Sequence, residues 1–388
     1  MTRPKGVVIP FSEGRSSLLD SLSFEIIMSI YDFDPHNERQ IAEHLGVDPY
    51  FLRRRINALK ARGYLRVTAI PNLHRLGLIP HLLLIKAPAL TLASLASLFM
   101  SSPYWRYITR SYSGSLIYLV KMGIPKDKVH AFEEFLGRLV SEGVFERVAV
   151  IRTSNPFYVK PSLVYYDSIR GMWRLDFDAW IADILEAEGN SLDTDIIWAS
   201  SPTADFDMLD LELLERLEAD GLRPLYRIAQ QIGCSASMVY YHYLKHVVGR
   251  GLLLKYVPLV YPFRFNLSYT LLSLLKVKSL RSLKMIFEGS LGKPFIVNML
   301  TSLNRRILIL VCYLPRSMLL HFYNAVERLR DSGIVSSYKI LLIDTIQGTY
   351  RQSIPYAKIY DEKDRKWAEL NWWNETVERL VKAVKRKR

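Results

Sequence analysis

Between Pro49 and Arg62 the chain carries Arg53, Arg54, Arg55, Lys60 and Arg62, with no carboxylate among them. The planar fork of arginine donates two parallel hydrogen bonds, which suits a phosphate or the O6/N7 edge of guanine. Arg53, Arg54 and Asn57 are the candidates for base or groove contact, and Arg55, Lys60 and Arg62 for phosphate. Tyr50 and Phe51 would add apolar contact. The expected partner is double-stranded DNA. A formal net charge of +14 agrees with a polyanionic partner, although charge alone does not select one.

Other reactive side chains are sparse. The two cysteines, Cys234 and Cys312, exclude a disulfide framework and a Cys-rich zinc site. His242 and His246 stand four apart and could grip a metal, but no acidic residue or cysteine lies near them in sequence. They read as surface histidines, and no metal is expected. No Gly-rich phosphate loop, serine nucleophile elbow or HExxH motif occurs. The expectation is therefore a protein that is not an enzyme, with no catalytic residue and no cofactor.

The arginine-rich stretch needs an element to present it. Ile41 and Leu45 keep helical spacing, and Gly46 ends that helix where a left-handed residue is usual. Asp48 is an N-cap, Pro49 takes the first helical position, and Leu52, Ile56 and Leu59 form one apolar stripe. Gly63 closes the second helix, and Tyr64–Thr68 reads as a strand. Helix, tight turn, helix and strand make a winged helix-turn-helix. The arginines project from its recognition helix.

The chain repeats itself. Ile41-Ala42 and Leu45-Gly46 return as Ile228-Ala229 and Ile232-Gly233, an offset of 187 residues. Pro125, Phe132 and Gly143 return as Pro315, Phe322 and Gly333; Tyr166-Asp167 and Trp173 return as Tyr360-Asp361 and Trp367. The order never breaks, as expected of an internal duplication. After each winged helix the pattern reads βαββαβ, the split arrangement of ferredoxin-like folds. The fold class is thus α+β, with two winged helix-turn-helix domains and two ferredoxin-like domains in a tandem repeat.

The expected division is a first winged helix over 16–77, a ferredoxin-like domain over 78–153 and an aromatic extension over 154–188. A linker over 189–205 follows. The second copy has its winged helix over 206–264, its ferredoxin-like domain over 265–345, and an extension with a basic tail over 346–388. Tyr166, Trp173, Phe177 and Trp180, and later Tyr360, Trp367 and Trp372-Trp373, read as residues that clamp each extension onto its own domain.

The second recognition helix differs from the first. From Ala236 to His246 aromatics replace the arginines, and His242 stands where Arg55 stood. Ser237, Tyr240, Tyr241 and Lys245 are its candidates for DNA contact.

Ile41-Ala42, Leu45-Gly46, Asp48, Leu52, Arg55, Ile56, Leu59 and Gly63 resemble the helix-turn-helix signature of Lrp/AsnC (feast/famine) transcriptional regulators. So do Asp207, Asp210, Leu213-Leu214, Leu217, Ile228-Ala229, Ile232-Gly233 and Ser235 in the second copy. The resemblance implies a sequence-specific DNA-binding regulator built as a covalent pseudo-dimer, with homodimer formation through the ferredoxin-like domains. It allows a small-molecule effector of unknown identity. Family members usually carry an acidic residue in a hairpin turn that here reads Ser113-Gly114-Ser115 and Leu303-Asn304-Arg305, so no effector residue is carried over.

Two alternatives share the architecture. Siroheme decarboxylases resemble the same family and some are fused in tandem; on that reading His81, Arg106 and Arg110 would face a porphyrin carboxylate. An architectural DNA-binding protein would bind with little sequence preference. The apolar run Leu78–Met100 is broken by Pro80, Lys86 and Pro88, so no membrane span is expected. Met1–Arg15 lacks the apolar core of a secretory signal, and a cytoplasmic location is expected.

Overall fold

The computed structural model describes residues 20–167, 172–189, 202–260, 263, 265–345, 348–369 and 378. Helices α1 (Ser21–Ser29), α2 (Glu38–Leu45) and α3 (Pro49–Ala61) and strand β1 (Val67–Pro71) form the first winged helix. Local chemistry sets its boundaries. Gly46 ends α2 at φ 64°, and the Asp48 carboxylate accepts from Tyr50 N at 2.9 Å and Phe51 N at 3.1 Å to start α3. Leu52, Ile56 and Leu59 are buried as one stripe.

Strands β2 (Leu78–Lys86), β3 (Trp105–Tyr112), β4 (Leu116–Pro125) and β5 (Arg147–Arg152) follow, with α4 (Leu92–Met100) after β2 and α5 (Val129–Ser141) after β4. Their order across the sheet is β5-β2-β4-β3, the ferredoxin-like arrangement. The first extension holds β6 (Phe157–Tyr158), β7 (Tyr166–Asp167), β8 (Met172–Trp173) and α6 (Phe177–Glu186).

The plan then recurs. Helices α7 (Met208–Ala219), α8 (Leu225–Ile232) and α9 (Ala236–His242) lead to strand β9 (Leu253–Pro258). The helix expected to run on from α9 as far as His246 instead widens into a π-helical stretch over Tyr243–Val248. Strand β10 (Ser268–Val277), helix α10 (Leu280–Gly289), strands β11 (Ile296–Thr301) and β12 (Ile307–Pro315), helix α11 (Leu319–Asp331) and strand β13 (Val335–Ile343) give the order β13-β10-β12-β11. Short elements β14 (Tyr350–Arg351), α12 (Tyr356–Ile359), β15 (Tyr360–Asp361) and β16 (Lys366–Trp367) complete the second extension.

The copies are joined edge to edge. The wings β1 and β9 pair antiparallel, and β3 pairs with β13 so that both sheets become one of ten strands. At the far ends Thr153 bridges Ser302, so the sheet closes on itself. Leu82, Leu84, Leu119 and Ile151 from one half meet Leu272, Leu274, Ile309 and Leu341 from the other in a shared apolar layer. The sheet faces expected to pair two chains therefore meet within one chain. Burial of this layer is a main driving force for the closure.

The extensions are clamped on both copies: Tyr166 and Trp173 pack on Phe24, and Tyr360 and Trp367 on Phe206, each within its own copy, but β6, β14 and α6 go to the other. β6 adds to β11 and β14 adds to β3, each in the other repeat. The chain leaving β6 is thereby delivered onto the second repeat, where α6 packs against α10 and α11. Trp180 is fully buried there and stacks on Phe322 with ring centroids 5.9 Å apart. Reciprocally, Trp367 Nε1 donates to Leu76 O at 3.0 Å and Tyr104 Oη to Ala368 O at 2.7 Å. Trp372-Trp373 and the basic tail lie outside the described residues, as does most of the expected linker.

Candidate functional site

Strand pairing gathers cations into one row. Lys121 on β4 stands opposite Tyr107 on β3, and Tyr107 stands opposite Arg351 on β14. Lys121 is also opposite Leu82, a member of the inner apolar layer. Residues directly across a ladder share a face, so the whole row points to the inside of the closed sheet. The Lys121 ammonium lies 5.8 Å from the Tyr107 ring centroid and the Arg351 guanidinium 5.6 Å from it. Both distances fit cation–π attraction.

Lys121 is half-buried, and its pKa is lowered to about 8. Burial does most of this, and the neighbouring charges of Arg351 and Arg106 add to it. Arg106, beside the row, forms an ion pair with the nearly buried Glu218 of α7, which also accepts from Tyr356 Oη at 3.2 Å.

The opposite wall adds phenols and an amide. Tyr158 on β6 pairs with Asn298 on β11, which pairs with Val311, part of the inner layer's edge. The buried Asn298 Oδ1 has no hydrogen-bond partner. Tyr158 lies within electrostatic reach of both Arg106 and Tyr31. Burial, and then Tyr158, raises the Tyr31 phenol far above its usual range. Lys255 on β9 sits 5.5 Å from the Tyr31 ring and 5.8 Å from that of Phe157. Three cations, Lys121, Arg351 and Arg106, thus lie within electrostatic reach of one another, with Glu218 committed to Arg106. The arrangement can hold carboxylates, and a lysine poised near neutrality can give or take a proton.

The residues singled out by sequence are dispersed. Arg106 joins this cluster, but Arg110 is paired with Asp344 at 3.1 Å. His81 lies on the outer sheet face against Phe132, its Nδ1 2.8 Å from Ile79 O, and burial lowers its pKa to about 4. On α3, Arg53 pairs with Glu38 at 2.6 Å, Arg55 with Asp20, and Lys60 with Asp220 of the second copy at 3.0 Å. Tyr50, Arg54, Asn57 and Arg62 are exposed, and Arg54 and Arg62 pair with no carboxylate among the described residues. In the second copy Ser237 Oγ lies 3.1 Å from Ser235 Oγ, while Tyr240, Tyr241 and Lys245 are exposed.

Sequence reasoning missed Lys121, Tyr107, Arg351 and Tyr158. One signal was available: Lys121 is a charge within the apolar strand run Leu116-Ile117-Tyr118-Leu119-Val120-Lys121-Met122.

No protein-family model matches the chain, and no curated protein matches it in sequence. The crystal structure of the siroheme decarboxylase NirDL matches 94% of this chain and 99% of its own, with a TM-score of 0.50 and 13% identity. The same enzyme in co-complex with an iron-uroporphyrin III analogue matches with the same coverage, a TM-score of 0.49 and 14% identity. An AsnC family transcriptional regulator from Agrobacterium tumefaciens covers 34% of this chain and 88% of its own, with a TM-score of 0.27 and 17% identity. At these identities the likeness is one of fold. It corrects one expectation: the solved structure that this chain matches end to end is an enzyme's, so the reading of a protein that is not an enzyme is withdrawn. Among the described residues no helix is long and apolar enough to cross a membrane.

Proposed function

We propose that this chain is an enzyme of the siroheme decarboxylase type, acting on a polycarboxylate tetrapyrrole held at the row of Lys121, Tyr107 and Arg351. The observation that carries the reading is Lys121, a half-buried lysine with a pKa lowered to about 8 and two arginines for neighbours. Arg351 would hold a peripheral carboxylate, and Arg106 would do so while anchored by Glu218. In the reaction, the bond between a side-chain methylene and its carboxylate breaks and CO2 leaves. The electron pair remains on carbon and is quenched by a proton from the Lys121 ammonium, which water then restores. No oxidant is required. Tyr107 and Tyr158 would orient the substrate through ring contact and hydroxyl donation.

The test is incubation of the full chain with siroheme, with mass spectrometry of the porphyrin and measurement of released CO2. Stepwise loss of carboxyl groups, strongly slowed in Lys121→Met, is expected. Intact siroheme after prolonged incubation with folded protein would overturn the reading.

A second reading, double-stranded DNA binding by the first winged helix, is favoured by one observation: Arg54, Asn57 and Arg62 are exposed on one helix and its cap. Selection from a random duplex pool at two salt concentrations tests it. Enrichment of a site, lost in Arg54→Ala, is expected of that reading, and salt-sensitive binding without enrichment would leave only phosphate contact.

A further inference from the structure

The second winged helix contains a group of side chains that the tetrapyrrole chemistry does not use. Asp207 and Asp210 begin α7, His242 ends α9, and His246 lies in the π-helical stretch that follows. One ligand atom from each of the four lies within 4.8 Å of the others. The structure assigns this cluster as a binding site for a divalent first-row transition metal of the zinc type, closed by two imidazoles and two carboxylates.

The geometry supports a tetrahedral ion. His242 Nδ1 lies 2.8 Å from Asp210 Oδ1 and 3.6 Å from Asp207 Oδ2, while His246 Nδ1 lies 3.1 and 3.9 Å from the same two carboxylates. A zinc ion with bonds of about 2.0–2.2 Å has ligand–ligand edges of roughly 3.3–3.6 Å, within the range seen here. Both Nδ1 atoms face inward. Asp207 Oδ1 is taken by the capping bond from Asp210 N at 3.0 Å, which leaves Oδ2 directed at the rings. Two carboxylates and two neutral imidazoles would balance a divalent charge, and this nitrogen and oxygen set is unsuited to a soft monovalent ion.

Burial makes the arrangement specific. Asp210 has no exposed surface, although an isolated buried carboxylate is expensive. His242 and His246 are 15% and 13% exposed, and the edge of the Tyr241 ring lies over both. The π-helical stretch begins between the two histidines, and such widenings recur at functional sites. Only glycine fits at its end: Gly249 N donates to Leu244 O at 3.0 Å, and a Cβ there would sit 2.6 Å from Lys245 O.

The first copy is an internal control. At the offset of 187, Asp207 corresponds to Asp20, Asp210 to Ser23, His242 to Arg55 and His246 to Leu59. There Asp20 caps α1 and pairs with Arg55, Ser23 is buried, and Leu59 is core. An ion pair closes the first winged helix at the place where a metal would close the second. The ion would tie the start of α7 to the end of the recognition helix and fix that helix's angle.

The test uses the full chain stripped with a chelator, then titrated with zinc alone and with cobalt alone. A single zinc per chain by elemental analysis, a rise in Tm, and the intense visible absorption of four-coordinate cobalt are expected. His246→Leu, which restores the first copy's residue, should weaken metal affinity at least a hundredfold, and His242→Gln should do the same. Both variants are compared in chelator, where unchanged circular dichroism shows that they fold. Absence of stoichiometric zinc in the wild type, or affinity unchanged in both variants, would overturn the assignment. Siroheme turnover is read separately, so failure of either proposal leaves the other intact.

Discussion

Lys121 and Tyr107 stand directly opposite each other on β4 and β3, with the ammonium 5.8 Å from the ring centroid and Arg351 on the ring's other neighbour strand. A cation placed among cations in a half-buried row gives up its proton more readily than one in water. That is the property a proton donor in decarboxylation needs.

The pH profile should report it. Lys121 is protonated below about 8 and neutral above, so kcat/KM for siroheme should fall as pH rises through about 8. Lys121→Met should lower kcat by about 10²–10⁴-fold and remove that limb. Arg351→Met removes a repelling charge, so it should move the limb to higher pH. An unmoved limb would assign the titration to another group.

Trp180→Ala should cost about 3–5 kcal/mol in urea unfolding, because a fully buried indole leaves a large cavity. The indole also donates to Ser290 Oγ at 3.1 Å, across the two copies. A loss below 1 kcal/mol would show that the first extension does not dock on the second repeat.

Gly289→Ala distinguishes helix propensity from packing. Propensity alone favours alanine in α10 by about 1 kcal/mol. The added Cβ would lie 2.6 Å from the backbone nitrogen of Ile184 on α6, which cannot rotate away. Destabilisation of about 1–3 kcal/mol is expected in thermal or urea unfolding. A stabilised variant would contradict the close approach of α6 and α10.

Arg54→Ala should leave siroheme turnover unchanged, since Arg54 is an exposed residue of α3. Arg55→Ala breaks the pair with Asp20, whose partners are 35% and 49% exposed, and should cost no more than about 1 kcal/mol. A large loss of turnover in Arg54→Ala would move the active site toward the winged helix.

Much of the architecture is written locally. The caps at Asp48 and Gly46, the stripe Leu52, Ile56 and Leu59, and the two βαββαβ series depend on neighbours a few residues apart. Periodicity and capping report such contacts, and the internal repeat shows that the pattern is used twice. The candidate site was mostly not legible. Lys121 gains its meaning from Tyr107 and Arg351, and Arg351 comes from the far end of the other copy. The same holds for His242 and His246, which read as lone histidines until α7 brings Asp210 beneath them, 32 and 36 residues away in sequence. Cations that looked free on α3 proved to be paired: Arg53 with Glu38, Arg55 with Asp20 and Lys60 with Asp220. Helix and strand preference are decided within a turn or a strand, whereas sheet register, closure and charge pairing are decided only when distant segments compete for the same buried space.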